Sequence, residues 1–186
     1  TVTIMGTVPA GSAIKRSGAS VGDDIYVTGT LGDAAQGLAL SRKGEADGYL
    51  VSRYQFPVAR IAAGRRLRGL ANSLIDISDG LVAEIGHLAE TDSLGAEIAA
   101  WQLPLSKELV KSAGEDIAIN MALFSGDDYE LCFTADPADS GEIKAASDSI
   151  DVPMTRIGVV TDGGEIVIRD SKGELMDFGD AGYEHF

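Results

Sequence analysis

The chain has 186 residues, 45% of them apolar and 24% charged, which fits one soluble globular domain and excludes a disordered or fibrous chain. Fifteen Lys and Arg against 29 Asp and Glu give a net charge of -14, a balance that disfavours general binding to nucleic-acid backbones. A nucleotide ligand would need a hard cation between its phosphates and these carboxylates, so the acidity is itself an argument for a metal.

No apolar run approaches the roughly 20 residues that span a bilayer, and the segment from Thr1 to Gly11 lacks the basic and long apolar parts of a signal peptide. The expectation is a cytoplasmic protein that neither enters a membrane nor binds nucleic acid. The single cysteine, Cys132, has no thiol partner and reads as a half-buried strand residue rather than a nucleophile. His87 and His185 are too far apart to form a metal-ligand motif by themselves.

In chain order, Thr1 to Val8 alternates apolar residues with Thr and stops at Pro9, which predicts a strand; a chain that begins inside a strand is expected to be cut from something longer. Ile25 to Thr28 is a β-branched and aromatic run, followed by a glycine turn over Gly29–Gly32 and an Ala- and Leu-rich helix from Asp33. Helical signals flank Pro57, with Val58, Ile61 and Ala62 as the expected apolar face and Arg60, Arg65, Arg66 and Arg68 as mostly wet charges. Leu74 to Ile77 predicts a short strand, and Leu81, Val82, Ile85, Leu88 and Ala89 at helical spacing predict the clearest helix of the chain.

Ala96, Ile98 and Ala100 alternate as a strand, and a short helix is expected after Ser106. Ile117, Met121 and Phe124 mark one face of a further helix. Beyond Asp128, Tyr129, Leu131 and Phe133 alternate with Glu130, Cys132 and Thr134 as a strand. A helix between Ala138 and Ser147, a strand around Thr155 to Val160, and a hairpin of Glu165–Arg169 with Glu174–Phe178 complete the reading. Interspersed helices and hairpin-like pairs predict an α+β fold, a mixed sheet covered by helices.

Chemistry concentrates in two segments. In Ile75-Asp76-Ile77-Ser78-Asp79-Gly80-Leu81, Asp76 and Ser78 share one face of an extended segment, and Ser78 and Asp79 stand where a helix begins. Such a helix end suits a phosphate and its carboxylates suit Mg²⁺, although Ser-Asp-Gly is equally an ordinary cap. In Ser125-Gly126-Asp127-Asp128-Tyr129-Glu130-Leu131, adjacent acids repel unless solvent, a donor or a cation separates them, so the loop is either a wet turn or a polar binding site. Gly29-Thr30-Leu31-Gly32 matches neither phosphate-loop pattern and reads as a tight turn. The aromatic terminus Gly182-Tyr183-Glu184-His185-Phe186 could pack on the body or present a ring for stacking.

Taken together and in order, Arg16-Ser17-Gly18-Ala19, Tyr26 to Asp33, Ile75 to Leu81, Gly126 to Leu131 and Gly182 to Phe186 resemble thiamine-monophosphate kinases over essentially the whole chain. The resemblance is to the C-terminal part of that family, in the fold group of aminoimidazole ribonucleotide synthetase, whose members hold ATP in a cleft between two α/β domains. It implies that residues 1–15 end a preceding domain and linker, and that residues 16–186 form the C-terminal ATP- and substrate-binding domain. The metal-binding and dimerising N-terminal domain would be missing, leaving half an active site, inactive alone and homodimeric when full length. The implied activity is ATP- and Mg²⁺-dependent phosphorylation of thiamine monophosphate to thiamine diphosphate by direct in-line transfer.

Position by position, the resemblance implies that Asp76 and Asp79 bind Mg²⁺, Ser78 contacts an ATP phosphate and Arg16 contacts the nucleotide. It also implies that Asp127 touches the substrate and that Tyr183 stacks on thiamine, with no catalytic acid or base. Where the family reads Gly-Gly-Glu-Asp-Tyr-Glu-Leu this chain has Asp127, one methylene shorter than Glu. The residues by themselves leave open another ATP-dependent enzyme of the same fold group and a non-catalytic binding domain.

Overall fold

The computed structural model describes residues 3, 5–46, 48–90 and 93–176. Six strands form one sheet in the order β2-β4-β1-β5-β3-β6, from β1 (Asp24–Thr28), β2 (Ala71–Asp76), β3 (Leu94–Ala99), β4 (Leu131–Ala135), β5 (Met154–Asp162) and β6 (Ile166–Arg169). All neighbours pair antiparallel except β3 and β6, which run parallel, so the sheet is mixed as the sequence pattern predicts. Helices α1 (Asp33–Arg42), α2 (Tyr49–Gln55), α3 (Ile61–Arg66), α4 (Leu81–Glu90), α5 (Lys107–Ala113), α6 (Glu115–Phe124) and α7 (Ser140–Ile150) complete an α+β architecture.

The β1 run is apolar on both faces because both are covered. Ile25 and Val27 face the larger core, with Ile77, Leu81, Ile85, Leu88 and Leu123 from α4, α6 and their flanks, while Tyr26 faces a second core of Leu67, Phe133 and Ile143. Tyr26 and Phe133 are cross-strand partners and their rings stack with centroids 5.2 Å apart. Ser106 caps α5 by accepting from the Leu109 N–H at 3.0 Å, which is why the short helix begins where the Ser suggests.

Several expectations are corrected. Among the described residues, 5–9 form no strand and lie exposed, since no neighbouring strand offers them a ladder. Around Pro57 the helices exist, but Val58, Ile61 and Ala62 are exposed, and Ala63 and Leu67 carry the burial. In α6 the buried side is Ala118, Ala122 and Leu123, leaving Ile117 outside, because close approach selects the small residues. Ala100 belongs to a 3₁₀ turn beyond β3. Cys132 is fully buried, and burial pushes its thiol up to about 12, which removes it as a nucleophile. The hairpin after β6 is seen as far as residue 176, through Asp170 N–H to Glu174 and Met176 N–H to Ile168.

Glu130, immediately before β4, is the centre of a buried ionic cluster. Its carboxylate is fully buried and accepts from Thr28 Oγ1 at 2.6 Å, Arg53 Nη2 at 2.9 Å, and Arg60 Nε and Nη2 at 2.6 and 2.5 Å. Arg60 is therefore a bidentate partner and not a wet charge, and the hydrogen bonds to Glu130 hold its guanidinium above its ordinary range. Gly29 makes the room: it sits at φ 61°, and a Cβ there would collide with the Glu130 carboxylate. A neighbouring buried carboxylate, Asp33, accepts from Thr30, Tyr49 and Ser106 hydroxyls and ties α1 to α2 and α5. Replacing Glu130 by Ala strands two guanidiniums beneath the surface, so Glu130→Ala is expected to cost about 3–5 kcal/mol in denaturant unfolding; a loss under about 1 kcal/mol would contradict this account of the cluster.

Candidate functional site

Two loops meet at the edge of the sheet. Ile77 to Gly80 leads from β2 into α4, and Ser125 to Glu130 leads from α6 into β4. Backbone bonds stitch them together: Ile77 N–H to the Glu130 carbonyl at 2.7 Å, Tyr129 N–H to the Ile77 carbonyl at 2.9 Å, and Asp127 N–H to the Ser78 carbonyl at 2.9 Å. Gly126 permits the approach, because any Cβ there would overlap the Ser78 carbonyl. Asp127 and Tyr129 both adopt the left-handed region, at φ 69° and 51°, which is uncommon for residues other than Gly.

This geometry sorts the acidic loop by alternation. Asp127 and Tyr129 project outward while Asp128 and Glu130 are buried. Asp128 caps α1 by accepting from Gly32 N–H at 2.6 Å and Ala34 N–H at 3.1 Å. The glycine turn thus gives these donors to a carboxylate of its own chain, in keeping with its reading as a tight turn. Burial pushes the Asp128 carboxyl up to about 7, with neighbouring Asp33 adding to the rise and the two N–H donors and Arg53 opposing it. The loop's two acids divide: Asp128 is buried and structural, while Asp127 is exposed and lines a depression.

At the α4 end, the buried Glu84 carboxylate reaches back to accept from Ser78 N–H at 3.3 Å, Ser78 Oγ at 3.0 Å and Asp79 N–H at 3.2 Å. The sequence assigned the cap to Ser78 and Asp79; Glu84 also supplies an acceptor from inside the first turn. The Ser78 hydroxyl, implied to meet a phosphate, here donates inward to Glu84.

Between these loops and α1 lies a depression of about 410 Å³, lined among others by Arg42, Ser78, Asp79, Phe124 and Asp127. Asp76 is exposed at the end of β2 and is not among the residues lining the depression. Burial pushes the Tyr129 phenol up, and Asp127 raises it further by charge and a hydrogen bond, with Asp76 and Asp79 adding to the effect. The structure therefore brings Ser78, Asp79 and Asp127 to one depression, with Asp76 at the end of the strand that leads into it. Arg16 is exposed in the segment that flanks β2, next to Lys15, whose carbonyl accepts from Leu74 N–H; it is not among the residues lining the depression. Tyr183 lies outside the described residues.

Among the described residues no group of three or more His, Cys, Asp or Glu gathers as a metal cage. Mg²⁺ needs fewer protein ligands, one or two carboxylates with phosphate oxygens and water, so the exposed Asp76 and Asp79 fit a partial set. Sequence reasoning missed Arg42, Glu84 and Tyr129. An acid one turn into α4 was a readable sign for Glu84, whereas Arg42 arrives only through the packing of α1 across the site.

Residues 20–171 match the family model described as AIR synthase related protein, C-terminal domain. The chain belongs to this family. It is 43% identical to the thiamine-monophosphate kinase of Escherichia coli (strain K12) over 194 aligned residues, covering 100% of this chain and 59% of that protein. The chain thus spans about three-fifths of the length of that curated relative. Among solved structures, thiamine-monophosphate kinase from Stenotrophomonas maltophilia K279a superposes with a TM-score of 0.83 at 40% identity, over 91% of this chain and 56% of that one. AaThiL complexed with AMPPCP and TMP superposes with a TM-score of 0.75 at 35% identity, over 93% and 54%.

The raised Asp128 carboxyl gives a stability signature. The folded state holds this proton up to about pH 7, whereas the ordinary value is 3.8, so between them the folded state binds more protons and stability falls as pH rises. Asp128→Asn abolishes that titration. The melting temperature of the parent protein is expected to fall more steeply than that of the variant between about pH 5 and 7; equal slopes would refute the assignment.

Proposed function

We propose that this chain is the ATP- and substrate-binding part of a kinase that converts thiamine monophosphate to thiamine diphosphate. The observation that carries this reading is the docking of the Asp127 loop onto Ser78, which gathers Ser78, Asp79 and Asp127 at one depression in a chain 43% identical to a thiamine-monophosphate kinase. The relative complexed with AMPPCP and TMP supports the same pair of ligands.

In this reading Asp76 and Asp79 hold Mg²⁺, Ser78 turns from Glu84 to contact an ATP phosphate, and Arg16 meets the nucleotide. Asp127 orients the acceptor and Tyr183 stacks on thiamine. When bound, Mg²⁺ supplies neutralisation of the phosphate charge. An oxygen of the acceptor's phosphate attacks the γ-phosphorus in line, a new P–O bond forms, and the bond to ADP breaks. That oxygen is already ionised near neutral pH, so the chain's residues bind and align without acting as acid or base.

The exposed position of the carboxylates agrees with a site completed by further chain. Residues 1–15 would connect to an upstream domain, residues 16–186 would form the C-terminal domain, and the full-length protein would be a homodimer. The 186-residue chain alone is expected to be inactive. Among the described residues no helix is long and apolar enough to cross a membrane.

The test is thiamine diphosphate formation by the full-length polypeptide given ATP, Mg²⁺ and thiamine monophosphate. The parent protein should form product, and Asp79→Ala should lower turnover by about a hundredfold or more while leaving the melting temperature unchanged. Full activity in Asp79→Ala would contradict the metal assignment, and no product from the folded, Mg²⁺-loaded parent would contradict the function.

A further inference from the structure

Tyr129 stands apart from the rest of its loop. It holds an aromatic side chain at φ 51°, a conformation rare for a bulky residue, yet the residue is 39% exposed and belongs to none of the core clusters. The backbone bond it makes, N–H to the Ile77 carbonyl, would be available to any residue there. What the side chain does is meet Asp127. With Asp128 and Glu130 turned inward, residues 127 and 129 leave the loop on the same side, and the phenol donates to Asp127 Oδ1 at 3.4 Å.

Asp127 needs such a partner for two reasons. It is one methylene shorter than the Glu of the resembling motif, which gives its carboxylate less reach across the depression it lines. It is also one of three carboxylates, with Asp76 and Asp79, whose negative charge acts on the Tyr129 phenol. A neutral donor can hold a carboxylate in such a place without neutralising it.

We propose that Tyr129 is a positioning residue for Asp127, its hydroxyl holding the shortened carboxylate at the depression in the orientation that binds the acceptor substrate. This rests on the reading of Asp127 as a substrate-binding residue and deepens it. Tyr129 does not touch the reacting atoms; it restricts the rotamers of the side chain that meets the acceptor.

The experiment is steady-state kinetics of the full-length protein with both substrates varied, for the parent, Asp127→Ala, Tyr129→Phe and the double variant Tyr129→Phe/Asp127→Glu. Tyr129→Phe keeps the ring and the fold. Its KM for thiamine monophosphate should rise about three- to tenfold, as for loss of one hydrogen bond to a carboxylate, with kcat and KM for ATP within about twofold. The longer Glu needs no tether, so the double variant should return KM for thiamine monophosphate to within about twofold of the parent. An unchanged KM in Tyr129→Phe, an equal rise in both KM values with a lower melting temperature, or no recovery in the double variant would overturn the positioning role alone. A parent protein inactive on thiamine monophosphate, or Asp127→Ala with parental kinetics, would instead overturn the functional reading on which the role rests.

Discussion

The Glu130 carboxylate, buried beneath the sheet edge and gripped by Thr28, Arg53 and Arg60, is the constraint from which the site follows. A buried ion cluster of this kind adds little net stability over an apolar replacement, because desolvation offsets the Coulomb gain. Its effect is on geometry. The side chain draws in donors from β1, α2 and the approach to α3, while the Glu130 carbonyl, pointing elsewhere, accepts from Ile77 one residue before Ser78. One residue thus links the interior to the loop that opens α4.

The parity of the loop carries that constraint outward. Glu130 and Asp128 are both inside, the latter at the α1 terminus, while Asp127 and Tyr129 stand outside. The left-handed backbone at the two outward positions is strain that the surrounding bonds to Ile77 and Ser78 hold in place. The product is a cluster of exposed carboxylates at a helix end whose nearest donors already serve Glu84. Such a surface repels bare phosphates and accepts them with a hard cation, in agreement with the proposed Mg²⁺-dependent transfer.

Much of the architecture was legible from local pattern. β1 announces itself by a buried β-branched run, α4 by its apolar spacing, and α5 by Ser106. The meeting of Ser78 and Asp79 with Asp127 was legible through resemblance, since the two segments lie about fifty residues apart and nothing in either names the other. The ionic cluster was not legible. Nothing in the local sequence of Arg60 announces a buried partner, and only the long-range placement of Glu130 separates it from the exposed arginines after it. Glu130 itself sits on the polar side of an alternating sequence pattern, a side that reads as solvent until both faces of the sheet prove to be covered. The exposed Val58 and Ile61 fail for the converse reason: apolar spacing says which residues could pack, while the partner element decides which do.

The most direct test of this account is amide hydrogen exchange in the full-length protein at Ile77, Asp127 and Tyr129, the three N–H groups that join the loops. If the buried carboxylate locks the site, these amides exchange as slowly as those of the β1 interior and accelerate together when Glu130 is replaced by Gln. Exchange far faster than β1 in the parent protein, or rates unaffected by that replacement, would show that the site loops do not depend on the buried cluster.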